Sequence, residues 1–287
     1  MFLSNAVRDV RLLKGMTQRD VSEGIISQGT YSKFEKGTAD IPTQALIGIL
    51  NNLNIDLEEV LFIANGYSYT EEEKMYREFF RFSITNITSL EEFIYKCEKY
   101  LEARNEPTIS LLHQISKFLL EAFRNEDIYF NKSQALHFLD FFSNKEQLFI
   151  KDLYIINAIF FLFPVEVAHL TIEYVEKSLK KYKDFQSINR IEVNFRLNYS
   201  LMLIKDKLED KALQQLDLLI PKVKNFKMHY QMAIVYIRKG ICLHNLNQKE
   251  EGADYIQRGL LILETIEEHD LYSHMQKEIN KYQSSNK

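Results

Sequence analysis

Residues 16–37 read MTQRDVSEGIISQGTYSKFEKG, and this stretch contains two short helix patterns separated by a tight turn. The pairing of Thr17 with Asp20 resembles a capping box, which opens the first helix. Residues 24–27 form the turn, and Gly37 ends the second helix. Two short helices joined by a four-residue turn are the layout of a helix-turn-helix.

Three more helix patterns surround this pair. An apolar stripe that includes Val7 and Val10 predicts a helix before it, which Gly15 ends. Pro42 opens a fourth helix and Asp56 a fifth. Five short helices therefore predict an N-terminal helix-turn-helix domain, to which we assign residues 1–64.

Composition favours an all-α protein. The 287 residues include only 9 Gly and 4 Pro, which leaves little of the turn chemistry that hairpins and sandwiches need. Cys97 and Cys242 lie far apart without ligand-spaced partners, so we expect neither a disulfide framework, a metal site nor a cofactor, and any redox role of the two thiols stays open. The apolar run over residues 153–165 is shorter than the roughly 20 residues of a membrane span, and the N-terminus shows no signal-peptide pattern. We expect a cytoplasmic protein that does not associate with membranes.

Charge is distributed unevenly along the chain. The whole sequence has a net charge of -4. Residues 1–38, however, contain more basic than acidic side chains, and the stretch that follows is acidic. Any surface that binds DNA phosphates is therefore expected within about the first forty residues.

Internal similarity appears after residues 65–73, which contain no apolar period and are predicted to be a linker. Residues 74–287 are helical in pattern, and residues 90–100, 109–123 and 133–142 show helical spacing without a clear repeat. A forty-residue offset superposes small and apolar positions on one another, namely Ser200 on Gly240, Leu203 on Leu243, Ala212 on Gly252, Leu216 on Ile256 and Ile220 on Leu260.

The spacing of Gly240, Gly252 and Gly259 matches the three small positions of a tetratricopeptide repeat, where the two helices of a hairpin cross. We therefore predict that the domain over residues 74–287 is a right-handed superhelix of such hairpins. Its concave face would suit an extended peptide, because asparagine amides can satisfy a peptide backbone while aliphatic side chains receive its side chains. The repeat register predicts that this face includes Asn157, Asn194, Asn198, Leu201, Ile234, Ile237, Arg238, Ile241 and His244.

The string around Tyr31, Phe34, Glu35 and Gly37 resembles the phage-repressor type of helix-turn-helix. That resemblance implies several roles. Gln18 would bind a phosphate, and Arg11 and Glu35 would form an ion pair between the first and third helices. The side chains implied to face the DNA major groove or its edge are Ser27, Gln28, Thr30, Lys33 and Lys36.

Taken with the repeats, the whole chain resembles the Rgg/PlcR-like (RRNPP-type) regulators of Gram-positive bacteria, and the Rgg branch is the closer fit. The resemblance implies a homodimeric transcription regulator that binds a double-stranded DNA operator and senses a short peptide pheromone. An alternative is a repeat adaptor that binds a protein and no DNA. An enzyme is not expected, because the sequence lacks a phosphate loop, an HExxH motif and a nucleophile elbow.

Overall fold

The computed structural model describes residues 2–80, 87–124, 138, 142, 145–185 and 188–283. These residues form fifteen α-helices and one short 3-10 turn, and none of them lies in a strand. The predicted all-α class is therefore confirmed. Most of the helical pattern at residues 133–142 lies outside the described residues.

The chain divides into two compact units. The first consists of residues 1–84 and 95–111, and the second of residues 85–94 and 112–287. The helices α7 and α8 each contribute residues to both units. In the first part of the chain the helices are α1 Leu3–Leu13, α2 Gln18–Ser22, α3 Gln28–Glu35, α4 Thr43–Leu53, α5 Leu57–Ala64, α6 Glu71–Phe79, α7 Ile87–Ala103 and α8 Pro107–Arg124.

The first five helices enclose one small apolar core. Val7 of α1, Val21 of α2, Tyr31 of α3 and Ile49 of α4 are fully buried within it. α2 begins with the predicted capping box, in which the Thr17 side chain and the Asp20 carboxylate exchange hydrogen bonds with each other's backbone N–H. The core therefore holds α2 and α3 in the helix-turn-helix arrangement.

Residues 65–70 pack against the helices on either side. The Asn65 amide donates to the Ser68 carbonyl at 2.8 Å, and the Tyr69 ring lies 5.0 Å from that of Phe62. The Arg77 guanidinium lies 4.0 Å from the centroid of the Tyr69 ring. Thr70 caps α6, so the last three residues of the segment assigned to the linker are helical.

The second unit contains the repeats. Its remaining helices are α9 Ile150–Ile159, α10 Val165–Lys181, α11 Ile188–Lys205, α12 Glu209–Asn225, α13 His229–Asn245, α14 Lys249–Thr265 and α15 His269–Gln283, with the 3-10 turn Phe160–Leu162 after α9. Consecutive helices pack as hairpins, α11 with α12 and α13 with α14. The first helices of successive hairpins also contact each other.

Four helices of this unit end in the same way at intervals of twenty residues. The residue after each C-cap has a positive φ, and these residues are Lys207, Lys227, Asn247 and Glu267, at 57, 52, 66 and 58°. The next backbone N–H donates to a buried carbonyl five residues earlier, as Gln248 does to Leu243 at 2.9 Å. This is the Schellman motif, and its recurrence gives each hairpin its forty-residue period.

The predicted crossing positions are confirmed by the backbone contacts of the last complete hairpin. A Cβ added to Gly240 would lie 2.5 Å from the carbonyl oxygen of Gly252, and one added to Gly252 would lie 2.7 Å from that of Gly240. At Gly259 an added Cβ would lie 2.7 Å from the carbonyl oxygen of Ala233. The three glycines therefore let the backbones of α13 and α14 touch.

Across the part of the chain that the structure describes, we find no helix with the length and apolar character needed to cross a membrane.

Candidate nucleic-acid interface and ligand groove

Glu35 joins the first three helices of the helix-turn-helix. The Arg11 guanidinium donates to Oε1 and Oε2 of Glu35 at 2.6 and 3.0 Å, and also to the carbonyl of Met16 at 2.8 Å. Gln18, the first residue of α2, donates from Nε2 to Oε2 of Glu35 at 2.8 Å. The network therefore fixes the start of α2 relative to the end of α3.

The charge on Glu35 is stabilised by these donors. Burial by itself would raise the pKa of Glu35, but the hydrogen bonds from Arg11 and Gln18 outweigh it and lower the pKa below its usual value. The hydrogen bond to Glu35 likewise raises the pKa of Arg11. Both groups are therefore ionised at neutral pH. Because the Gln18 amide is partly buried, only part of this side chain is open to a phosphate.

The outer side of α3 is open to solvent. Gln28 and Gly29 in its first turn are exposed, as are Lys33 and Lys36 near its end. Tyr31 and Phe34 point into the core instead. The exposed side therefore offers an amide and two ammonium groups, which suit base edges and phosphates.

Ser27 and Thr30 are exposed but take part in capping α3. The Ser27 hydroxyl accepts from the backbone N–H of Thr30 at 3.1 Å and lies 2.8 Å from the Thr30 hydroxyl. An added Cβ at Gly29 would meet only the Ser27 hydroxyl, at 3.9 Å. None of the described residues therefore requires a glycine at that position, which leaves the first turn of α3 open to a close approach.

A stripe of partly buried side chains follows α11. Asn194, Asn198, Leu201 and Lys205 recur at spacings of four, three and four, so they lie on one side of the helix. The Asn198 amide donates to both the carbonyl and the side-chain oxygen of Asn157 on α9, each at 3.2 Å. We call these five residues the inner stripe.

The residues of α13 that were predicted to line the concave face differ in their exposure to solvent. Ile234 is partly open and lies near the inner stripe, because Gln231 one turn earlier donates to Asn194 at 3.4 Å. Ile237 and Ile241 are fully buried. Ile237 packs at the hairpin crossing, 2.6 Å from the position of an added Cβ on Gly259.

Arg238 is also buried, and its donors are used within the protein. Its guanidinium donates to both carboxylate oxygens of Glu278 on α15, at 2.7 and 3.1 Å, and to the Leu197 carbonyl on α11 at 2.6 Å. His244, the last residue assigned to the face, is partly buried. In this conformation Ile237, Arg238 and Ile241 therefore pack the repeat interior and leave α9, α11 and the start of α13 as the accessible surface.

Three polar residues of this region were missed by the sequence analysis. Gln231 contacts Asn194, and Lys205 ends the inner stripe. Asn245 lies forty residues after Lys205, at the equivalent position of α13. Lys205 and Asn245 could have been predicted together from the forty-residue repeat, because the same offset relates Asn198 to Arg238, which were both assigned to the face.

Both cysteines are buried, and burial raises the pKa of each thiol, Cys97 and Cys242, to about 12. Their thiolate fraction at neutral pH is therefore very small. Among the described residues, no group of three or more His, Cys, Asp or Glu side chains is placed to hold a metal ion.

These observations define a class of protein, a helix-turn-helix domain followed by tetratricopeptide-like hairpins. Residues 7–60 match the family model of the helix-turn-helix. A candidate transcriptional regulator from Listeria monocytogenes EGD-e has the same fold at 20% identity, with a TM-score of 0.78 and 97% of each chain covered. No curated protein sequence matches this chain.

The fold is also that of a protein described in complex with a peptide and DNA and of one described as a pheromone receptor. Bacillus thuringiensis PlcR, in complex with the peptide PapR7 and DNA, is 19% identical with a TM-score of 0.68, covering 95% of this chain and 98% of PlcR. The SHP pheromone receptor Rgg2 of Streptococcus dysgalactiae is 16% identical with a TM-score of 0.70, covering 98% and 99%. The resemblance to Rgg/PlcR-like regulators is thus confirmed in fold over nearly the whole chain.

Proposed function

We propose that this protein is a cytoplasmic transcription regulator whose helix-turn-helix binds a specific DNA operator and whose repeats bind a short peptide pheromone, as in quorum sensing. The observation that carries the proposal is the combination, in one chain, of an exposed polar side on α3 and a partly open asparagine stripe on paired repeats. We assign the DNA-binding role to residues 1–64 and both the ligand-sensing and the dimerisation roles to residues 74–287. PlcR and Rgg2 support the proposal, because their structures are described with a peptide and DNA or as a pheromone receptor.

Base reading is assigned to the exposed side of α3. A Gln amide pairs with adenine through two hydrogen bonds, and a Lys ammonium donates to guanine acceptors, so Gln28 and Lys33 are proposed to contact bases. Ser27, Thr30 and Lys36 would contact the backbone or groove edge, and Gln18 a phosphate at the start of α2. Two such domains are expected to bind two half-sites, so we propose a homodimer.

The experiment is a selection of random duplex DNA by the purified full-length chain, followed by gel shifts on the enriched sequence. Gln28→Ala and Lys33→Ala should each weaken binding by about 1–3 kcal/mol. The matched control is Lys74→Ala, because Lys74 is an exposed lysine on α6 rather than α3. Wild-type affinity in both α3 variants would remove these residues from the base-reading surface.

The alternative function is a repeat adaptor that binds a protein and no DNA. The salt dependence of DNA binding distinguishes the regulator from the adaptor. A protein that neutralises DNA phosphates releases counterions, so its affinity for DNA falls steeply as the salt concentration rises. An adaptor would shift no DNA at any salt concentration. Light scattering tests the dimer, and a 34.0 kDa species at micromolar concentration would contradict it.

A further inference from the structure

Lys205 is a cation at the end of the inner stripe. It follows Asn194, Asn198 and Leu201 along one side of α11 and, like them, is partly buried. From Asn194 to Lys205 the helix rises about 16 Å, the span of roughly five extended residues. An extended peptide that contacts the asparagines can therefore reach Lys205 with one of its ends.

The Lys205 ammonium makes no hydrogen bond or ion pair with any described residue. Burial lowers the pKa of Lys205, and the nearby positive charges of Arg238 and Lys281 lower it further. Glu278 and Asp206 offset them in part, but the two Glu278 carboxylate oxygens already accept from Arg238 at 2.7 and 3.1 Å, and Asp206 is exposed. A desolvated cation without its own anion is costly, and an anionic ligand would relieve that cost.

A hydrogen-bond acceptor is also left open at the equivalent position of α13. The Asn245 amide nitrogen donates to Glu209 at 3.1 Å and to the Tyr282 carbonyl at 3.3 Å. Its Oδ1 atom is buried and accepts from none of the described groups. Equivalent positions of α11 and α13 therefore hold an ammonium group without an ion-pair partner and a buried amide oxygen without a donor among the described residues.

We propose that Lys205 binds the C-terminal carboxylate of the peptide ligand. This assignment rests on the proposed peptide-sensing function. The last residue of a peptide carries a carboxylate, whereas an internal apolar residue carries no charge. An ammonium–carboxylate contact in a partly dry groove is a charge-assisted hydrogen bond, which is stronger than a neutral one.

The test uses two synthetic peptide pools and the full-length chain. The peptides are about six residues long, to match the stripe, and contain only Ala, Val, Leu, Ile and Phe. One pool ends in a free carboxylate and the other in a carboxamide. Peptides retained with the protein after ultrafiltration are counted by mass spectrometry. Wild type should retain the acid pool about tenfold over the amide pool, the ratio that one such contact supplies.

Variants locate the contact. Lys205→Met should abolish the preference for the acid pool, and Lys205→Arg should keep most of it. Lys211→Met is the matched control, because Lys211 is an exposed lysine on α12, and it should leave the ratio unchanged. Lys205→Met should not lower the thermal unfolding midpoint, since it removes a desolvated charge.

Each remaining outcome has one meaning. Equal retention of both pools by wild type would overturn the carboxylate assignment and leave peptide sensing standing. A full acid preference in Lys205→Met would overturn the role of Lys205. Retention of neither pool would overturn peptide sensing together with the assignment that rests on it.

Discussion

Arg11 and Glu35 form a buried ion pair that joins α1 to α3, with the two side chains 9% and 3% exposed. The pair is bidentate, and Gln18 adds a third donor to the same carboxylate. Desolvation offsets much of the attraction in such a pair, so its main effect is to hold α3 in place. Removing one partner is costly, however, because the other charge is left buried.

Glu35→Gln is therefore expected to destabilise the first five helices by about 3–5 kcal/mol. The measurement is hydrogen exchange of peptides from α1 to α3 in the full-length chain, read by mass spectrometry. Asp254→Asn is the control, since Asp254 and Arg258 form an ion pair that is 48% and 59% exposed on the two sides. That variant should change stability by less than about 1 kcal/mol. Equal effects of the two substitutions would contradict the role given to Glu35.

The same carboxylate predicts an acid dependence. Its folded-state pKa lies below its unfolded value, so the stabilisation is complete above the unfolded pKa of about 4.3 and is lost as the pH falls through the folded pKa. Hydrogen exchange of α1 to α3, measured relative to the intrinsic exchange rate at each pH, should show this loss in wild type below about pH 4.3. Glu35→Gln should lack that component. An identical pH profile in both proteins would show that other carboxylates account for the acid dependence.

Sequence patterns predicted the helix-turn-helix because it depends on contacts between residues that are close in the sequence. They predicted the hairpin crossings because these require small residues at fixed positions. The capping box at Thr17 and the contacts of Gly240 with Gly252 illustrate this. The burial of Arg238 could not be predicted, since it depends on Glu278, which lies forty residues away on another helix. The repeat gives the register of such a position but not which neighbour covers it.

The ends of the repeat helices could not be predicted from the sequence for a different reason. Glycine usually marks the left-handed residue after a helix, whereas here lysine, asparagine and glutamate occupy it. Lys227→Gly should therefore stabilise the α12–α13 junction by about 1 kcal/mol, because the left-handed conformation costs a non-glycine residue roughly that much free energy. The control is Lys224→Gly, which lies inside α12 and should cost about 1 kcal/mol. Hydrogen exchange near the junction shows whether each substitution raises or lowers local stability. A loss of stability in Lys227→Gly would contradict the left-handed conformation assigned to Lys227.

Two glycine substitutions are expected to act in opposite directions. Gly240→Ala would press a Cβ to 2.5 Å from the Gly252 carbonyl, so α13 and α14 must separate and the hairpin should lose stability. Gly29→Ala brings a Cβ only into ordinary contact with the Ser27 hydroxyl, at 3.9 Å, so α3 should gain about 1 kcal/mol. If the DNA backbone approaches the first turn of α3 closely, Gly29→Ala should also weaken DNA binding in spite of its greater stability. Gel shifts and hydrogen exchange on the same protein separate the two effects.

The asparagines of the inner stripe form hydrogen bonds within the protein, Asn198 with Asn157 and Asn194 with Gln231. The contacts lie at or beyond the upper end of the usual N–H···O range, at 3.2 Å from Asn198 to two oxygens of Asn157 and 3.4 Å from Gln231 to Asn194. Hydrogen bonds of this length are weak, so exchanging them for the backbone of a peptide should cost little. We expect each asparagine replaced by alanine to lose about 1–3 kcal/mol of peptide affinity, because peptide groups are left unpaired in the groove.

The measurement is calorimetry on the full-length chain with the peptide most enriched from the acid-terminated pool. Asn157→Ala, Asn194→Ala and Asn198→Ala are compared singly and together. Asn225→Ala is the control, since Asn225 is exposed at the end of α12. DNA affinity without peptide should stay unchanged, because none of the three asparagines belongs to the helix-turn-helix. The response of DNA binding to peptide should fall in step with peptide affinity, since a ligand shifts a conformational equilibrium only through its differential binding. Undiminished affinity in the triple variant would place the peptide on another surface of the repeats.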